Sequence, residues 1–477
     1  MHIRATSHVT GPGRAGAITA ALALAMALAA AGNGEESGGA KAVGGAKNVV
    51  FLVGDGMGFN QIDAAALYQH GAAFSQVTVD PGAAGIERRP AEATQAYQHF
   101  PVAAAVTTYA RGGGYDPRAT WDTFGTVTEG ATDSAAAATA LATGQRTTNG
   151  SLGVDADGEP LTNLTERAAE LGKATGVVTS VPFSHATPAG FVAHQRDRDD
   201  YHTIARQMIR DSEVDVVMGA GDPTRDDDGR ERPRPEFTYI AEDDYRSLTD
   251  GDTRFELVRT RQEFQELATA DDTPDQVFGL APAGSTLQFE RGGADRTEDG
   301  DPVPGARPYT AEPNPDVPTL AEMTGAALNV LGNASDEGIF LMVEGGAIDW
   351  AGHANELNRQ IEEQIAFDEA VSTVVDWVER ESDWGETLVV VTADHETGYL
   401  TGPGSDPRWT PLGGGKGELP EAAWNSTDHT NSLVPLYAKG PGATRLAHAA
   451  TGEDPVRGAY LENIRIAGTV FDLWHAG

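Results

Sequence analysis

The stretch "NVVFLVGDGMG", residues 48–58, starts with a short, β-branched apolar run and ends in glycines around one aspartate. Apolar runs without alternation are typical of strands whose sheet is covered on both faces. Amphipathic helical patterns such as "LTNLTERAAELG" (161–172) and "NRQIEEQIAFDEAVSTVVDWVERE" (358–381) lie between such runs. This alternation predicts an α/β fold with a large, mostly parallel central sheet and helices on both faces. The other runs are "ATGVVTSV" (174–181), "VDVVMG" (214–219), "GIFLMVEGG" (338–346) and "ETLVVVTADH" (386–395).

Residues 1–31 of the 477-residue chain resemble a signal peptide. Arg4 and Arg14 precede the apolar "AGAITAALALAMALAAA", and the three alanines at 29–31 offer a cleavage site. A membrane anchor is the weaker alternative because the stretch is short, alanine-rich and not followed by a second one. We therefore expect an exported protein, periplasmic or extracellular, with no membrane span after signal removal. The remaining chain is interpreted as a flexible segment, 32–46, and one domain, 47–477, with loop-rich excursions at about 220–313 and 401–426.

The composition excludes several classes of protein. The chain has no cysteine, so disulfides, thiol chemistry and cysteine-ligated metal sites are ruled out. Its net charge of −37 argues against nucleic-acid binding, which needs a basic surface. The acidic residues are spread along the chain rather than gathered in a tail, which favours a solvated surface suited to high salt, as in halophilic proteins.

Acidic and imidazole side chains follow four of the five apolar runs. In open α/β sheets ligands bind beyond the carboxyl ends of the strands, so these residues are expected to lie close together. Each has a plainer explanation, such as a tight turn, a helix cap or a satisfied polar group. Carboxylate and imidazole sets suit zinc, whereas oxygen ligands alone suit magnesium, so the combination indicates a centre with several metal ions. The candidates are Asp55, His185, Thr187, His194, Arg198, Glu344, Asp349, His353, Asp394, His395 and, in a later loop, His429.

An alanine-rich helix is predicted from "ATDSAAAATALATG", residues 131–144. Serine and aspartate are both favoured as N-caps, so Ser134 on its own has a structural explanation. The alternative is a nucleophile at the positive end of the helix, where backbone N–H groups can receive an anion.

Taken together, these motifs resemble the bacterial and animal alkaline phosphatases. The matching pieces occur in the family's order from residue 48 to about 440. They are "NVVFLVGDGMG", "TDSAAAATALATGQRTTNGSLGVD", "HATPAGFVAHQRDR", "VEGGAIDWAGHAN", "VTADHETG" and "DHTNSLVPLYAKG".

The resemblance implies a role for each matching position. Ser134 would be the nucleophile that becomes phosphorylated, Asp133 would orient its neighbours, and Arg198 would clamp two phosphate oxygens. The implied metal sites are a first zinc on Asp349, His353 and His429; a second zinc on Asp55, Asp394 and His395; and one magnesium on Asp55, Thr187 and Glu344.

Two positions depart from the enterobacterial pattern. His185 stands where that pattern has an aspartate in the outer shell of the magnesium site, and Trp350 stands where it has a lysine. This His/Trp pair is similar to that of certain marine and thermophilic relatives, and it leaves the occupant of the third site open.

The resemblance implies a homodimer that hydrolyses phosphate monoesters to alcohol and inorganic phosphate. Two alternatives remain open. One is a related phosphodiesterase or sulfatase on the same fold, although the Cys/Ser-x-Pro-x-Arg motif of sulfatases is not found. The other is a protein that binds phosphate or metal without catalysis.

Overall fold

The computed structural model describes residues 45–89, 91–297 and 299–475. The expected signal peptide, 1–31, and almost all of the segment 32–46 lie outside the described residues. The described residues fall in one structural unit, Gly44–Gly477.

The strands include the five apolar runs that the sequence indicated. In chain order they are β1 (Asn48–Gly54), β2 (Val77–Val79), β3 (Ile86–Arg88), β4 (Val102–Thr107), β5 (Ala174–Pro182), β6 (Val216–Ala220), β7 (Glu256–Val258), β8 (Val277–Leu280), β9 (Ile339–Gly345), β10 (Thr387–Thr392), β11 (Glu396–Thr397), β12 (His429–Thr430), β13 (Val434–Lys439), β14 (Gly452–Asp454) and β15 (Gly458–Glu462).

The helices include both amphipathic patterns, which form the fourth and the eleventh of them. In chain order they are α1 (Phe59–His70), α2 (Phe124–Thr128), α3 (Ser134–Thr143), α4 (Leu164–Glu170), α5 (Ala186–Gly190), α6 (Tyr201–Arg206), α7 (Glu242–Thr249), α8 (Arg261–Leu267), α9 (Leu320–Ala334), α10 (Ala347–His353), α11 (Leu357–Glu381), α12 (Ala443–His448) and α13 (Ile464–His475).

Eleven strands form the central sheet, in the order β14-β15-β4-β13-β10-β1-β9-β5-β6-β8-β7. The run from β10 to β7 is parallel throughout. Strand β13 is antiparallel to both β10 and β4. The expected α/β fold with a mostly parallel central sheet is confirmed.

The middle of this sheet determines where the candidate ligands lie. Strands β10, β1, β9 and β5 are neighbours, and every residue of each is buried, so both faces of the sheet are covered there. Because these four strands are parallel, their carboxyl ends meet at one edge. The acidic and imidazole residues that follow or end them are therefore brought together.

The segment 220–313 is more ordered than its composition indicated. It contains α7, β7, α8 and β8, and the two strands extend the parallel end of the central sheet. Strands of three and four residues are too short for a clear period, and the Asp, Arg, Pro and Gly around them hid the pattern. A capping box, in which Thr260 and Glu263 exchange hydrogen bonds at the start of α8, is the local signal that the sequence analysis did not use. In contrast, 401–426 contains no named helix or strand among its described residues.

A buried carboxylate on α11 makes stability depend on pH away from the candidate site. Asp368 Oδ1 accepts hydrogen bonds from Tyr97 Oη (2.8 Å) and Gln364 Nε2 (3.0 Å), but Oδ2 is buried without a partner among the described residues. Burial raises the pKa of Asp368 to about 7. Because the pKa of Asp368 is higher in the folded protein than in the unfolded chain, ionisation of this carboxyl destabilises the fold. The free energy of unfolding therefore decreases as pH rises from about 4 through 7.

Asp368→Asn is therefore expected to exceed the parent protein in stability by more at pH 8.5 than at pH 5. Three pKa units correspond to an upper bound of about 4 kcal/mol in the free energy of unfolding. Urea unfolding at both pH values measures the difference, with the exposed Asp376→Asn on the same helix as the matched control. An equal effect of Asp368→Asn at the two pH values would contradict the prediction.

Candidate metal centre

At the start of α3, one residue caps the helix and the next carries the candidate nucleophile. Asp133, not Ser134, is the N-cap, and its Oδ1 accepts the backbone N–H of Ala136 at 2.9 Å. Ser134 is the first helical residue, is 1% exposed, and has its Oγ 3.2 Å from His395 Nε2. The capping explanation of Ser134 is thus wrong, because its neighbour does the capping and leaves the serine hydroxyl directed at an imidazole.

Asp133 also organises the positive group of the site. Its Oδ2 accepts hydrogen bonds from Gly150 N (2.9 Å) and from Arg198 Nη1 (3.0 Å). The backbone N–H of Arg198 in turn donates to Gly150 O at 2.9 Å. Asp133 therefore joins the helix N-terminus, the Gly150 loop and the guanidinium into one unit.

One cluster contains two histidines whose ring nitrogens face each other. Nδ1 of His353 lies 2.7 Å from the carbonyl oxygen of Thr427, and Nδ1 of His429 lies 2.8 Å from that of Thr132. A carbonyl only accepts, so each Nδ1 carries a proton and each Nε2 is the ring nitrogen that faces inward. The two Nε2 atoms are 3.0 Å apart, and each is 3.4 Å from Asp349 Oδ1. Two imidazole nitrogens and a carboxylate oxygen at this separation suit a shared cation, which would take the place of any proton on Nε2.

A second cluster surrounds His395, with Nε2 lying 3.5 Å from Asp55 Oδ1 and 3.1 Å from Asp394 Oδ2. On the other side of the ring, Nδ1 lies 3.2 Å from Thr397 Oγ1, which donates its own hydrogen to Asp349 Oδ1 at 2.5 Å. Nδ1 must then be the donor, so the lone pair of Nε2 faces the carboxylates and Ser134.

The third cluster lies between β1, β5 and β9. Ligand atoms of Asp55, His185 and Glu344 lie within 4.8 Å of one another. Thr187 Oγ1 donates to Asp55 Oδ2 at 3.3 Å, and Thr179 Oγ1 donates to Glu344 Oε2. His185 therefore stands among the direct ligand candidates, closer than the outer-shell position expected from the sequence.

The electrostatics of these clusters test whether metal ions fit them. Burial, followed by the carboxylates of Asp394 and Asp349, raises the pKa of Asp55 well above its usual range. Burial likewise raises the pKa of Glu344 and of Asp394 to about 7. Burial and the neighbouring His429 lower the pKa of His395, which keeps this imidazole neutral. Several buried carboxylates packed beside one another are costly, and a divalent cation would offset that cost.

Unpartnered buried atoms provide the second test. In the described part of the chain, Asp55 Oδ1, Glu344 Oε1, Asp394 Oδ2 and His185 Nδ1 are buried and have no hydrogen-bond partner. All four belong to the clusters above. Buried polar atoms normally have partners, so four unpartnered ligand atoms in one place support metal binding.

Of the two remaining predicted residues, one borders the centre and the other lies outside it. Trp350 lies at its edge, with its ring 5.8 Å from that of His185. His194 does not join the centre, because its Nε2 contacts Glu166 at 2.8 Å and its Nδ1 contacts Gly153 O at 2.7 Å.

Thr179 and Thr397 support the site, yet the sequence analysis missed them. Thr179 holds Glu344, and Thr397 orients both His395 and Asp349. Thr397 follows Asp394-His395 in the strand-end motif, so a search for hydroxyls beside predicted ligands could have found it. Thr179 is inside a buried strand and carries no comparable signal.

Comparison with known proteins identifies the family. The sequence model of the family described as "Alkaline phosphatase" matches residues 46–459. The chain belongs to the alkaline phosphatase family. The resemblance seen in the motifs is therefore confirmed.

Individual alkaline phosphatases agree with this assignment. Alkaline phosphatase H of Pseudomonas aeruginosa (strain UCBPP-PA14) is 30% identical over 434 residues, which cover 84% of this chain and 82% of that protein. Alkaline phosphatase 3 of Bacillus subtilis (strain 168) is 33% identical over 284 residues, 58% of this chain and about half (52%) of the relative. The solved alkaline phosphatase of the Antarctic bacterium TAB5 shares the fold, with a TM-score of 0.60 at 24% identity over 91% of this chain and 99% of that one.

Membership of the alkaline phosphatase family makes this chain a phosphatase that acts on phosphate monoesters. Within the residues that the structure describes, no helix combines the length and apolarity needed to cross a bilayer.

Proposed function

We propose that the chain hydrolyses phosphate monoesters through a phosphoserine at Ser134, beside a centre of two zinc ions and one magnesium ion. The observation that carries this proposal is the convergence on one point of the Ser134 hydroxyl, the inward lone pair of His395 Nε2 and the unpartnered oxygens of Asp55 and Asp394. A serine–histidine pair acting without metal is less consistent with this geometry, because a base serving only Ser134 would not need two further carboxylates around its Nε2.

The donor sets indicate which residues would hold each ion. Asp349, His353 and His429 would hold one zinc, and Asp55, Asp394 and His395 would hold the other. Asp55, Thr187 and Glu344 supply the oxygens for magnesium, with His185 as an additional nitrogen that makes this site able to accept zinc instead. When bound, such ions supply positive charge that lowers the pKa of a nearby hydroxyl or water and stabilises the attacking and leaving oxygens.

The chain's own residues then bind and orient the phosphate. The phosphoryl group would lie at the N-terminus of α3, where the backbone N–H groups and the helix dipole favour an anion. Arg198, already held by Asp133, would direct its free N–H groups at two phosphate oxygens. Ser134 Oγ would attack phosphorus in line with the leaving alcohol, forming the phosphoserine, and water would release inorganic phosphate in a second displacement.

Three p-nitrophenyl esters test this function against its nearest alternatives. The purified protein, supplied with zinc and magnesium, is expected to hydrolyse p-nitrophenyl phosphate faster than bis-(p-nitrophenyl) phosphate or p-nitrophenyl sulfate. The reason is that Arg198 and the helix end suit a terminal dianion. A kcat/KM for the diester or the sulfate above that for the monoester would overturn the proposal.

A further inference from the structure

The cavity above Ser134 has a second side that the phosphate chemistry does not use. It has a volume of about 640 Å³ and opens to solvent, so it can hold more than a phosphoryl group. Ser134 and Arg198 line its floor. The exposed Glu290, Ala354 and Asp428 and the half-buried Trp350 line its mouth, and the buried Phe289 also lines the cavity.

The segment that carries Glu290 is fixed to α11 by buried ion pairs. Arg359 is fully buried and contacts both oxygens of Asp295 at 2.7 Å. Arg291, 2% exposed, contacts Glu362 at 2.6 Å. Because breaking a buried pair leaves an uncompensated charge, such pairs strongly resist displacement. This part of the 220–313 segment is therefore a fixed wall of the cavity.

Glu290 stands on that wall without an ion pair, although Arg296 is near enough to offset part of its charge. Its side chain is exposed at the mouth, although desolvation by the surrounding protein raises its pKa above the ordinary value. The nearby guanidinium groups are already engaged, Arg296 with Glu356 at 2.5 Å and Arg359 with Asp295. Among the described residues no cation lies within 4.0 Å of the Glu290 carboxylate, so its charge is available to a ligand.

Trp350 and Asp428 complete the mouth. Trp350 is half-buried, with one part packed on the apolar cluster of Val181 and Phe289, and it lines the same cavity as Glu290. Asp428 is exposed and lines the same cavity, where its carboxylate lies within 4.8 Å of ring nitrogens of His353 and His429. Carboxylates beside an indole are the groups that attract an ammonium ion, by charge and by the cation–π interaction.

We propose that this mouth is a leaving-group subsite for a cationic alcohol, which makes amino-alcohol phosphate monoesters the preferred substrates. The proposal rests on the phosphomonoesterase function proposed above. In it, the phosphate binds at Ser134 and Arg198 while the ammonium group of the alcohol lies between Glu290 and Trp350. Glu290 acts on specificity and takes no part in bond breaking.

Two substrates of equal shape, one with a cationic leaving group and one with a neutral leaving group, measure the effect of that positive charge on specificity. Choline phosphate carries a trimethylammonium group, and 3,3-dimethylbutyl phosphate is its neutral counterpart. The parent enzyme is expected to show a kcat/KM about 10-fold higher for the choline ester at low ionic strength, and the ratio should fall in molar NaCl as the charges are screened. Glu290→Gln is expected to lower the ratio about 3–10-fold, and Trp350→Leu to lower it more than Trp350→Phe does.

The control is Glu312→Gln, an exposed glutamate of the same segment that does not line the cavity, which should keep the parent ratio. A ratio near one in the parent enzyme, or a ratio that Glu290→Gln leaves unchanged, would overturn the subsite while the neutral ester is still hydrolysed. Failure of the neutral ester to react at all would instead contradict the phosphomonoesterase function itself.

Discussion

Ser134→Ala is expected to reduce kcat/KM for p-nitrophenyl phosphate by at least about 10³-fold, because removal of a nucleophile leaves only the binding groups of a site to act. The fold should survive the change. Asp133 supplies the cap of α3, so the free energy of unfolding is expected to change by no more than about 1 kcal/mol. Steady-state kinetics and urea unfolding of the metal-loaded variant measure the two effects.

The decisive measurement is trapping of the intermediate. Acid quenching of the parent protein with labelled substrate should leave phosphate on the peptide that contains Ser134, and the alanine variant should carry none. Ser151→Ala, which removes a buried hydroxyl outside the cavity lining, is the matched control and should retain turnover. Turnover by Ser134→Ala above a tenth of the parent rate would show that the hydroxyl is not the nucleophile.

The parallel part of the sheet was predictable from β10 to β6, where the strands are buried on both faces, but not at β8 and β7. Continuous apolar runs indicated β1, β5, β6, β9 and β10, and each is present. The antiparallel part was not predicted. Strand β4 is "VAAAVT", whose alanines have low strand propensity, and β13 contains a proline. Both are held by pairing with each other and with distant strands, which is information that no local window contains.

The sequence indicated which residues of the site lie together but not how their side chains are oriented. Asp55, Glu344, Asp394 and His395 could be placed together because parallel strands share a carboxyl edge. The ring orientation of each histidine could not, because it depends on contacts such as that between His429 Nδ1 and the Thr132 carbonyl, 297 residues away in sequence. The same limit applies to Ser134, since only the observed hydrogen bond from Ala136 N shows that Asp133 is the cap.

The structural position of His185 changes what is expected of the third cluster. An imidazole beside Asp55 and Glu344 offers nitrogen as well as oxygen, which weakens the preference for magnesium over zinc. Metal content in that cluster is therefore expected to depend on the ions supplied, whereas the two other histidine-containing clusters should retain zinc.

Removal of metal is expected to abolish activity and to destabilise the fold at the same time. Without cations, the buried carboxylates of Asp55, Glu344 and Asp394 repel one another, and Nε2 of His353 lies only 3.0 Å from Nε2 of His429. Dialysis against a chelator should lower p-nitrophenyl phosphate turnover by at least about 100-fold and lower the free energy of unfolding by several kcal/mol. Added zinc should restore both, and magnesium alone should not.

Chelator saturated with zinc beforehand is the control, since it leaves the protein's metal in place while exposing the protein to the same reagent. The experiment also separates the two explanations of the contact between Ser134 and His395. A serine–histidine pair that worked without metal would keep its turnover in protein shown by elemental analysis to be metal-free, and that result would contradict the metal centre. Loss of activity with unchanged stability would instead mean that the ions bind outside the buried clusters, because neutralising three buried carboxylates must stabilise the folded state.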